Sequence, residues 1–149
     1  MPAADIVSAA NSNLSGNMSD GTRVDVRVSV VDAATAPRSG PDKPIAMTLN
    51  ARLNDYGRNS DRSHISGING RSAQIGPTAN GSTPKTAAHE IGHGLGARDQ
   101  YSRSGPTPGK ENSIMSDLKG SANASSVDQM ARSANRVIDC RAGSSAAGC

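Results

Sequence analysis

The stretch AAHEIGHGLGARDQY, residues 87–101, constrains the fold of this chain more than any other segment. His89 and His93 lie four residues apart, and on a helix this spacing brings both imidazole rings to one face, about 6 Å apart along the axis. Gly94 and Gly96 follow, and a glycine just past the last turn can take the left-handed conformation that ends a helix. We therefore expect a helix that carries two metal ligands and is followed by a sharp turn.

Two imidazoles do not complete a tetrahedral metal site, because a catalytic zinc ion has three protein ligands and one open position. Asp99 comes six residues after His93, and on a continuous helix it would lie about 9 Å further along the axis, too far to share an ion. A turn at Gly94 or Gly96 would bring its carboxylate back toward the two rings. The sequence therefore predicts a zinc site made of Asp99 and the two histidines.

Three other residues are candidates for the third ligand. An arrangement with the acidic ligand on a later helix would select Glu111 or Asp128, although Glu111 lies in a stretch rich in Pro and Gly where no helix is expected. His64, the remaining histidine, is the last candidate, and its alternative role is that of a surface residue at a strand end. If there is no metal site, His89 and His93 are ordinary polar positions of an exposed helix.

The segment HEIGHGLGARD resembles the extended zinc motif of the metzincin metallopeptidases, in the snapalysin-like variant with Asp as third ligand. In this family a methionine lies beneath the metal in a tight turn, and ENSIMSD is similar to that turn, which implies this role for Met115. The resemblance implies a small metzincin-like α+β fold over about residues 22–138. Some family members have Tyr two residues after the methionine, whereas this chain has Asp117, so the resemblance does not extend to that residue.

The longer stretch from AQIGPTANGS through the motif to NSIM also looks like the metallopeptidase toxin domains at the C-termini of bacterial Rhs-type and other polymorphic toxins. This resemblance implies a domain that is delivered to a target cell as part of a larger secreted protein and is neutralised by an immunity protein. It agrees with the N-terminal residues, which lack the basic start and apolar centre of a signal peptide. The alternative is a free-standing secreted peptidase whose leader has been removed.

The charges of the predicted site indicate a reaction. Zinc lowers the pKa of a bound water from about 16 toward about 7, so Glu90, next to His89, would accept its proton and pass it to the leaving amine of a peptide bond. Tyr101 either donates a hydrogen bond to the oxyanion or packs beside the loop that carries Asp99, called the ligand loop below. The chain is thus predicted to be a zinc-dependent endopeptidase acting on a protein or peptide. A zinc-binding interaction module or an inactive peptidase relative would share the same ligands.

The composition predicts a thin hydrophobic core. The chain has 149 residues with no Phe and no Trp, and its hydrophobic fraction of 34% depends heavily on alanine, which buries little apolar surface. Its net charge of +3 is too small to indicate disorder. We expect one α+β domain over residues 1–149, with a tail over 139–149, in which a bound metal ion adds to the free energy of folding.

The basic and apolar residues bear on possible partners, and the two cysteines bear on redox state. The basic residues are scattered singly and lack interleaved aromatic residues, which is evidence against a nucleic-acid-binding surface. No apolar run has the length of about 18 residues that a membrane span needs. Cys140 and Cys149 either close a small disulfide loop or remain free thiols on a frayed tail.

Hydrophobic periodicity predicts a short helix, a small twisted sheet that is mostly antiparallel or mixed, the motif helix, a long loop and a closing helix. The strongest strand signal is TRVDVRVSVVDA, in which valines alternate with polar residues. IAMTLNARLN should begin as a strand, and HISGINGRSAQIGP, with its Asn-Gly pair, should form a hairpin that ends at Pro77. The predicted helices are PAADIVSAANSNL, then STPKTAAHEIGHGLG with a cap at Ser82 or Thr83, and SSVDQMARSANRVIDC.

Overall fold

The computed structural model describes residues 3–40, 43–50, 52–53, 62–76, 83–118 and 120–141, without the side chains of residues 117 and 135–141. The predictions that concern Pro77, Ser82, Cys149 and the side chain of Cys140 lie outside the described residues. Among the helices that are described, none has the length and apolar character needed to cross a membrane.

The described residues contain four helices and seven short strands. The helices are α1 (Ala3–Leu14), α2 (Thr83–Gly94), α3 (Ile114–Asp117) and α4 (Ala124–Arg141). The strands are β1 (Gly16–Asn17), β2 (Arg23–Val24), β3 (Ala46–Leu49), β4 (His64–Ile65), β5 (Ser72–Ile75), β6 (Tyr101–Ser102) and β7 (Gly105–Pro106). This mixed content is consistent with the predicted α+β class, and α1, α2 and α4 confirm the three predicted helices.

A three-stranded mixed sheet lies beside α2. Its order is β3-β5-β4, so β5 is central, parallel to β3 and antiparallel to β4. The β4–β5 hairpin and the strand β3 confirm two predictions from the sequence. Asn69 in the hairpin turn has a φ of 60°, a left-handed conformation that asparagine tolerates better than most residues.

The prediction of one long strand over residues 22–33 is wrong beyond β2. The backbone N–H of Val26 donates to Ser15 Oγ at 2.8 Å, and that of Val28 donates to Asn11 Oδ1 at 2.6 Å. Side chains of α1 and of the residue after it therefore take the place of a neighbouring strand. The alternating valines as far as Val28 are still half-buried and the residues between them are exposed. The segment that carries them is extended, but it packs along α1 and not beside another strand.

The prediction of a continuous loop between the motif helix and α4 is also wrong in two places. β6 and β7 form a tight hairpin in which Gly105 has a φ of 115°. The short helix α3 begins after Ser113, whose Oγ accepts a hydrogen bond from the N–H of Met115 at 3.2 Å. It ends at Asp117 and is followed by Leu118, which has a φ of 68°. The Pro and Gly content of this segment is typical of a loop. The capping serine and the glycine turn nevertheless give it ordered structure.

The motif helix α2 is buried along its last nine residues, from Thr86 to Gly94. It packs against α1, α3, β4 and β5, and its small side chains let these elements approach closely. The main core cluster consists of alanines, short aliphatic residues and methionines, as the composition predicted. Its buried members are Ala10, Leu14, Ala88, Ile91, Ala97, Ile114, Met115, Val127 and Met130.

Candidate metal centre

Helix α2 ends in a Schellman motif centred on Gly96, which has a φ of 109°. The N–H of Gly96 donates to the carbonyl of His93 at 3.0 Å, and the N–H of Ala97 donates to the carbonyl of Gly92 at 2.9 Å. Of the two glycines expected to redirect the chain, Gly96 adopts the left-handed conformation and Gly94 stays within the helix. The backbone reverses immediately after the second histidine.

This turn brings Asp99 back to the two imidazole rings. Asp99 Oδ1 lies 3.3 Å from His89 Nε2 and 3.1 Å from His93 Nε2, and the two Nε2 atoms are 3.1 Å apart. Ligand atoms that bind a tetrahedral zinc ion at about 2.0–2.1 Å are separated from one another by about 3.3 Å. The three atoms therefore have the spacing of three corners of a zinc tetrahedron.

The second nitrogen of each imidazole is fixed by a backbone carbonyl. His89 Nδ1 lies 2.8 Å from the carbonyl oxygen of Ile114, and His93 Nδ1 lies 2.8 Å from that of Ala97. Because a carbonyl oxygen only accepts, both Nδ1 atoms donate, and in the neutral rings both Nε2 lone pairs face the carboxylate of Asp99. Three acceptor atoms this close repel one another unless a cation, either a proton or a metal ion, lies among them.

Interactions within the cluster favour positive charge at its centre. Burial opposes ionisation of Asp99, but protonated His89 and His93 rings would donate hydrogen bonds to its carboxylate, and this lowers the pKa of Asp99. Burial likewise opposes the charged form of His93, but the protonated ring would donate to Asp99 as well as to the Ala97 carbonyl, and this raises the pKa of His93. Both shifts are in the direction expected of a site that attracts a cation.

The cluster is closed on the histidine side and open on the aspartate side. The side chains of His89 and His93 are 8% and 10% exposed, whereas that of Asp99 is 44% exposed. Structural zinc sites use four protein ligands, whereas catalytic sites keep one position for water or substrate. Two buried imidazoles and one solvent-facing carboxylate fit the catalytic pattern.

Glu90 is buried beside the ligands, with 7% of its surface exposed. Burial raises the pKa of its carboxyl, and the nearby His89 and His93 offset part of this rise. No described residue forms a hydrogen bond or an ion pair with its carboxylate. A buried carboxylate without such a partner, next to a potential metal site, is a candidate proton acceptor.

The turn that carries Met115 lies behind the motif helix. Met115 is fully buried, and a Cβ atom on Gly92 would lie only 2.8 Å from its sulfur. Gly92 therefore allows the methionine to pack directly against the helix segment between the two histidines, and the carbonyl before it, that of Ile114, holds His89. Asp117 is the last residue of α3, and its side chain lies outside the described part of the chain.

Tyr101 lies at the edge of the site, beyond the ligand loop. Its ring centroid is 6.5 Å from that of His89, with the two planes tilted by 34°, and the side chain is half-exposed. Burial and the neighbouring carboxylate of Asp99 raise the pKa of its hydroxyl. This position allows the ring to pack beside the histidine and leaves the tyrosine on the open side of the cluster.

The alternative third ligands lie outside the cluster. Glu111 is exposed and accepts a hydrogen bond from the N–H of Gly109 at 3.0 Å, while Asp128 accepts from Ser19. His64 is exposed at the start of β4, where its Nδ1 bonds to a backbone carbonyl. Within the described ranges, the one group with the geometry of metal ligands is the pair of histidines with the aspartate.

Several residues that hold this site in place carry no recognisable signal in the sequence. From the β4–β5 hairpin, the N–H of Asn69 donates to the carbonyl of His93 at 2.8 Å, and Arg71 Nη1 donates to that of Gly94 at 2.7 Å. Together they satisfy carbonyls at the C-terminal end of α2, where a positive charge is also favoured. Their partners lie more than 20 residues away in sequence, so local patterns do not reveal them.

Comparison of the chain with protein-family models, with curated proteins and with solved structures gives no significant match. The chain nevertheless brings together two imidazoles and one carboxylate at the spacing of metal ligands, with one side open to solvent and a buried glutamate alongside. This group could hold a metal ion.

Proposed function

We propose that this chain is a zinc-dependent endopeptidase of the metzincin type, with His89, His93 and Asp99 as metal ligands and Glu90 as general base. The observation that carries the proposal is the triangle of ligand atoms with sides of 3.1–3.3 Å, in which both imidazoles are fixed through Nδ1. A set of two nitrogens and one carboxylate oxygen suits zinc. The resemblance of the motif to metzincins supports a protein or peptide as substrate.

A zinc ion held by these three atoms would acidify a water molecule and polarise a peptide carbonyl. The carboxylate of Glu90 would accept a proton from that water. It would then donate this proton to the leaving amine. Burial raises the pKa of Glu90, and a higher pKa makes a carboxylate a stronger base. Tyr101 supports the ligand loop through its contact with His89.

The biological setting follows from the second resemblance, to toxin domains of bacterial polymorphic toxins. The peptidase would be secreted or delivered to a target cell as part of a larger protein, and an immunity protein would inhibit it. The open side of the ligand cluster, next to the half-exposed Tyr101, is where such an inhibitor would block substrate.

The substitution Glu90→Gln tests the catalytic role. It keeps the size of the side chain and removes the base, so casein or peptide cleavage should fall by about 10²–10⁴-fold while the zinc content stays at one ion per chain. Peptide hydrolysis and metal analysis of the same preparation measure both quantities.

Glu111→Gln is the matched control, because Glu111 is an exposed glutamate outside the cluster, and it should leave cleavage unchanged. Full activity in the Glu90→Gln protein would exclude Glu90 as the base. An unchanged chain that binds zinc but cleaves no peptide would instead indicate a zinc-binding interaction module or an inactive relative.

A further inference from the structure

The loop that carries Asp99 is attached to α4 on both sides of this residue. Before it, the N–H of Arg98 donates to Gln129 Oε1 at 2.9 Å. After it, Gln100 and Asn123 form a reciprocal amide pair, with Gln100 Nε2 donating to Asn123 Oδ1 at 2.9 Å and Asn123 Nδ2 donating to Gln100 Oε1 at 2.8 Å. The two residues that flank Asp99 are thus bonded to α4 and to Asn123, the residue just before it.

Gln100 also joins the ligand loop to the methionine turn. Its N–H donates to the carbonyl of Met115 at 2.8 Å, and the side chain is buried, with 7% exposed. Asn123 in turn caps α4, because its Oδ1 accepts from the N–H of Ser126 at 3.0 Å. The amide pair therefore connects the start of α4 to the loop that carries Asp99. Through Gln100 it also connects α4 to the segment of Ile114 and Met115, whose Ile114 carbonyl bonds to His89.

Asp99 itself is the least buried member of the cluster, so its own packing does not fix its position. Ordering a residue costs about 1–2 kcal/mol of backbone entropy, and this cost opposes metal binding if the loop is ordered only when the ion binds. Outer groups that orient ligands typically contribute 10–100-fold in metal affinity. The hydrogen bonds from α4 and its capping residue can supply such a contribution, because they hold the backbone of Arg98 before the carboxylate and the side chain of Gln100 after it.

We propose that Gln129 and Asn123 are positioning residues for the metal site, which hold Asp99 at ligand distance before any ion arrives. The inference rests on the proposed zinc site. It assigns α4, which contributes no ligand, a direct effect on metal affinity.

Two neutral variants test the proposal. Gln129→Met keeps the length of the side chain but removes the acceptor for Arg98, and Asn123→Ser keeps a capping oxygen for α4 but cannot reach Gln100. Zinc affinity is measured by competition with a chromophoric chelator, and Co²⁺ absorption reports the ligand geometry. Thermal unfolding of each metal-free protein measures stability separately.

Two further variants are controls. Gln129→Glu, which retains the acceptor, is the rescue variant. Gln74→Met, which breaks an exposed amide contact with Asn50, is the matched control.

Each single variant should weaken zinc binding by about 10-fold and the double variant by about 100-fold, with an altered Co²⁺ spectrum. Gln129→Glu and Gln74→Met should bind zinc like the unchanged chain. Variants that lower the unfolding temperature of the metal-free protein but bind zinc as tightly as the unchanged chain would overturn the positioning role and leave the zinc site standing. Failure of the unchanged chain to bind zinc would overturn both.

Discussion

Asp99 differs from the two histidines in both charge and exposure. It brings the negative charge to a cluster whose other two ligands are neutral when they bind a metal, and its side chain is 44% exposed while theirs are nearly buried. The histidines are held by carbonyls at 2.8 Å. In the proposed metal site the carboxylate would therefore control how strongly a cation is attracted, and the imidazoles would determine where the cation lies.

The substitution Asp99→Asn removes this charge with little change in shape. We expect the zinc affinity to fall by more than about 100-fold, because loss of an outer group alone costs 10–100-fold and this change affects a ligand itself. Chelator competition measures the affinity. Asp128→Asn is the control, since Asp128 accepts hydrogen bonds from Ser19 and lies outside the cluster. Equal affinity in the Asp99→Asn protein would exclude the carboxylate as a ligand.

The end of α2 determines whether the carboxylate reaches the histidines. Gly96 has a φ of 109°, and a Cβ atom at this position would collide with the side chain of Ser133 on α4. Both the left-handed backbone and the close approach of α4 therefore require glycine here. The Schellman motif links the proposed metal site to the packing of the C-terminal helix.

Gly96→Ala should lower the free energy of unfolding by about 1–2 kcal/mol and also weaken zinc binding, because the start of the Asp99 loop is displaced. Gly109→Ala is the matched control: Gly109 also has a positive φ, of 81°, but nothing within 4 Å of an added Cβ. It should lose stability and keep the zinc affinity. Denaturant unfolding of metal-free protein and chelator competition separate the two effects. Equal zinc affinities in the two variants would contradict this role for the Gly96 turn.

Local patterns predicted the elements and ligands that depend on near neighbours. The four-residue histidine spacing and the following glycines predicted both α2 and the return of Asp99, since helix geometry and a C-terminal glycine determine them locally. The early end of β2 could not be predicted, because Ser15 and Asn11 accept hydrogen bonds from the backbone N–H groups of the residues that follow it, Val26 and Val28. The contacts of Asn123 and Gln129 with the ligand loop span 23 and 31 residues, and amide side chains give no indication of such partners.

The molecule as a whole has little apolar surface to bury. Among the described residues, the main core cluster contains three alanines among nine buried residues and no aromatic side chain. The elements that meet around α2 also converge on the proposed metal ligands, so an ion bound there would stabilise the same contacts that form the core. Metal binding to the native state alone adds to the free energy of unfolding.

Removal of the metal should therefore lower the unfolding temperature. With free zinc at about 1,000 times its dissociation constant, the ion contributes about 4 kcal/mol, which corresponds to about 10 °C for a chain of this size. Calorimetry of zinc-loaded and verified metal-free protein measures the shift. A His89→Ala/His93→Ala protein should show no dependence on zinc. A melting temperature that zinc leaves unchanged would show that the fold does not depend on the ion.

The most direct measurement is a crystal structure of the zinc-loaded protein, with the ion located by its anomalous scattering. We expect one zinc ion bonded at about 2.0–2.2 Å to His89 Nε2, His93 Nε2 and a carboxylate oxygen of Asp99, with the fourth position open to solvent. No ion between these atoms, or an ion bound by the histidines with Asp99 turned away and another protein group in its place, would contradict the proposed site.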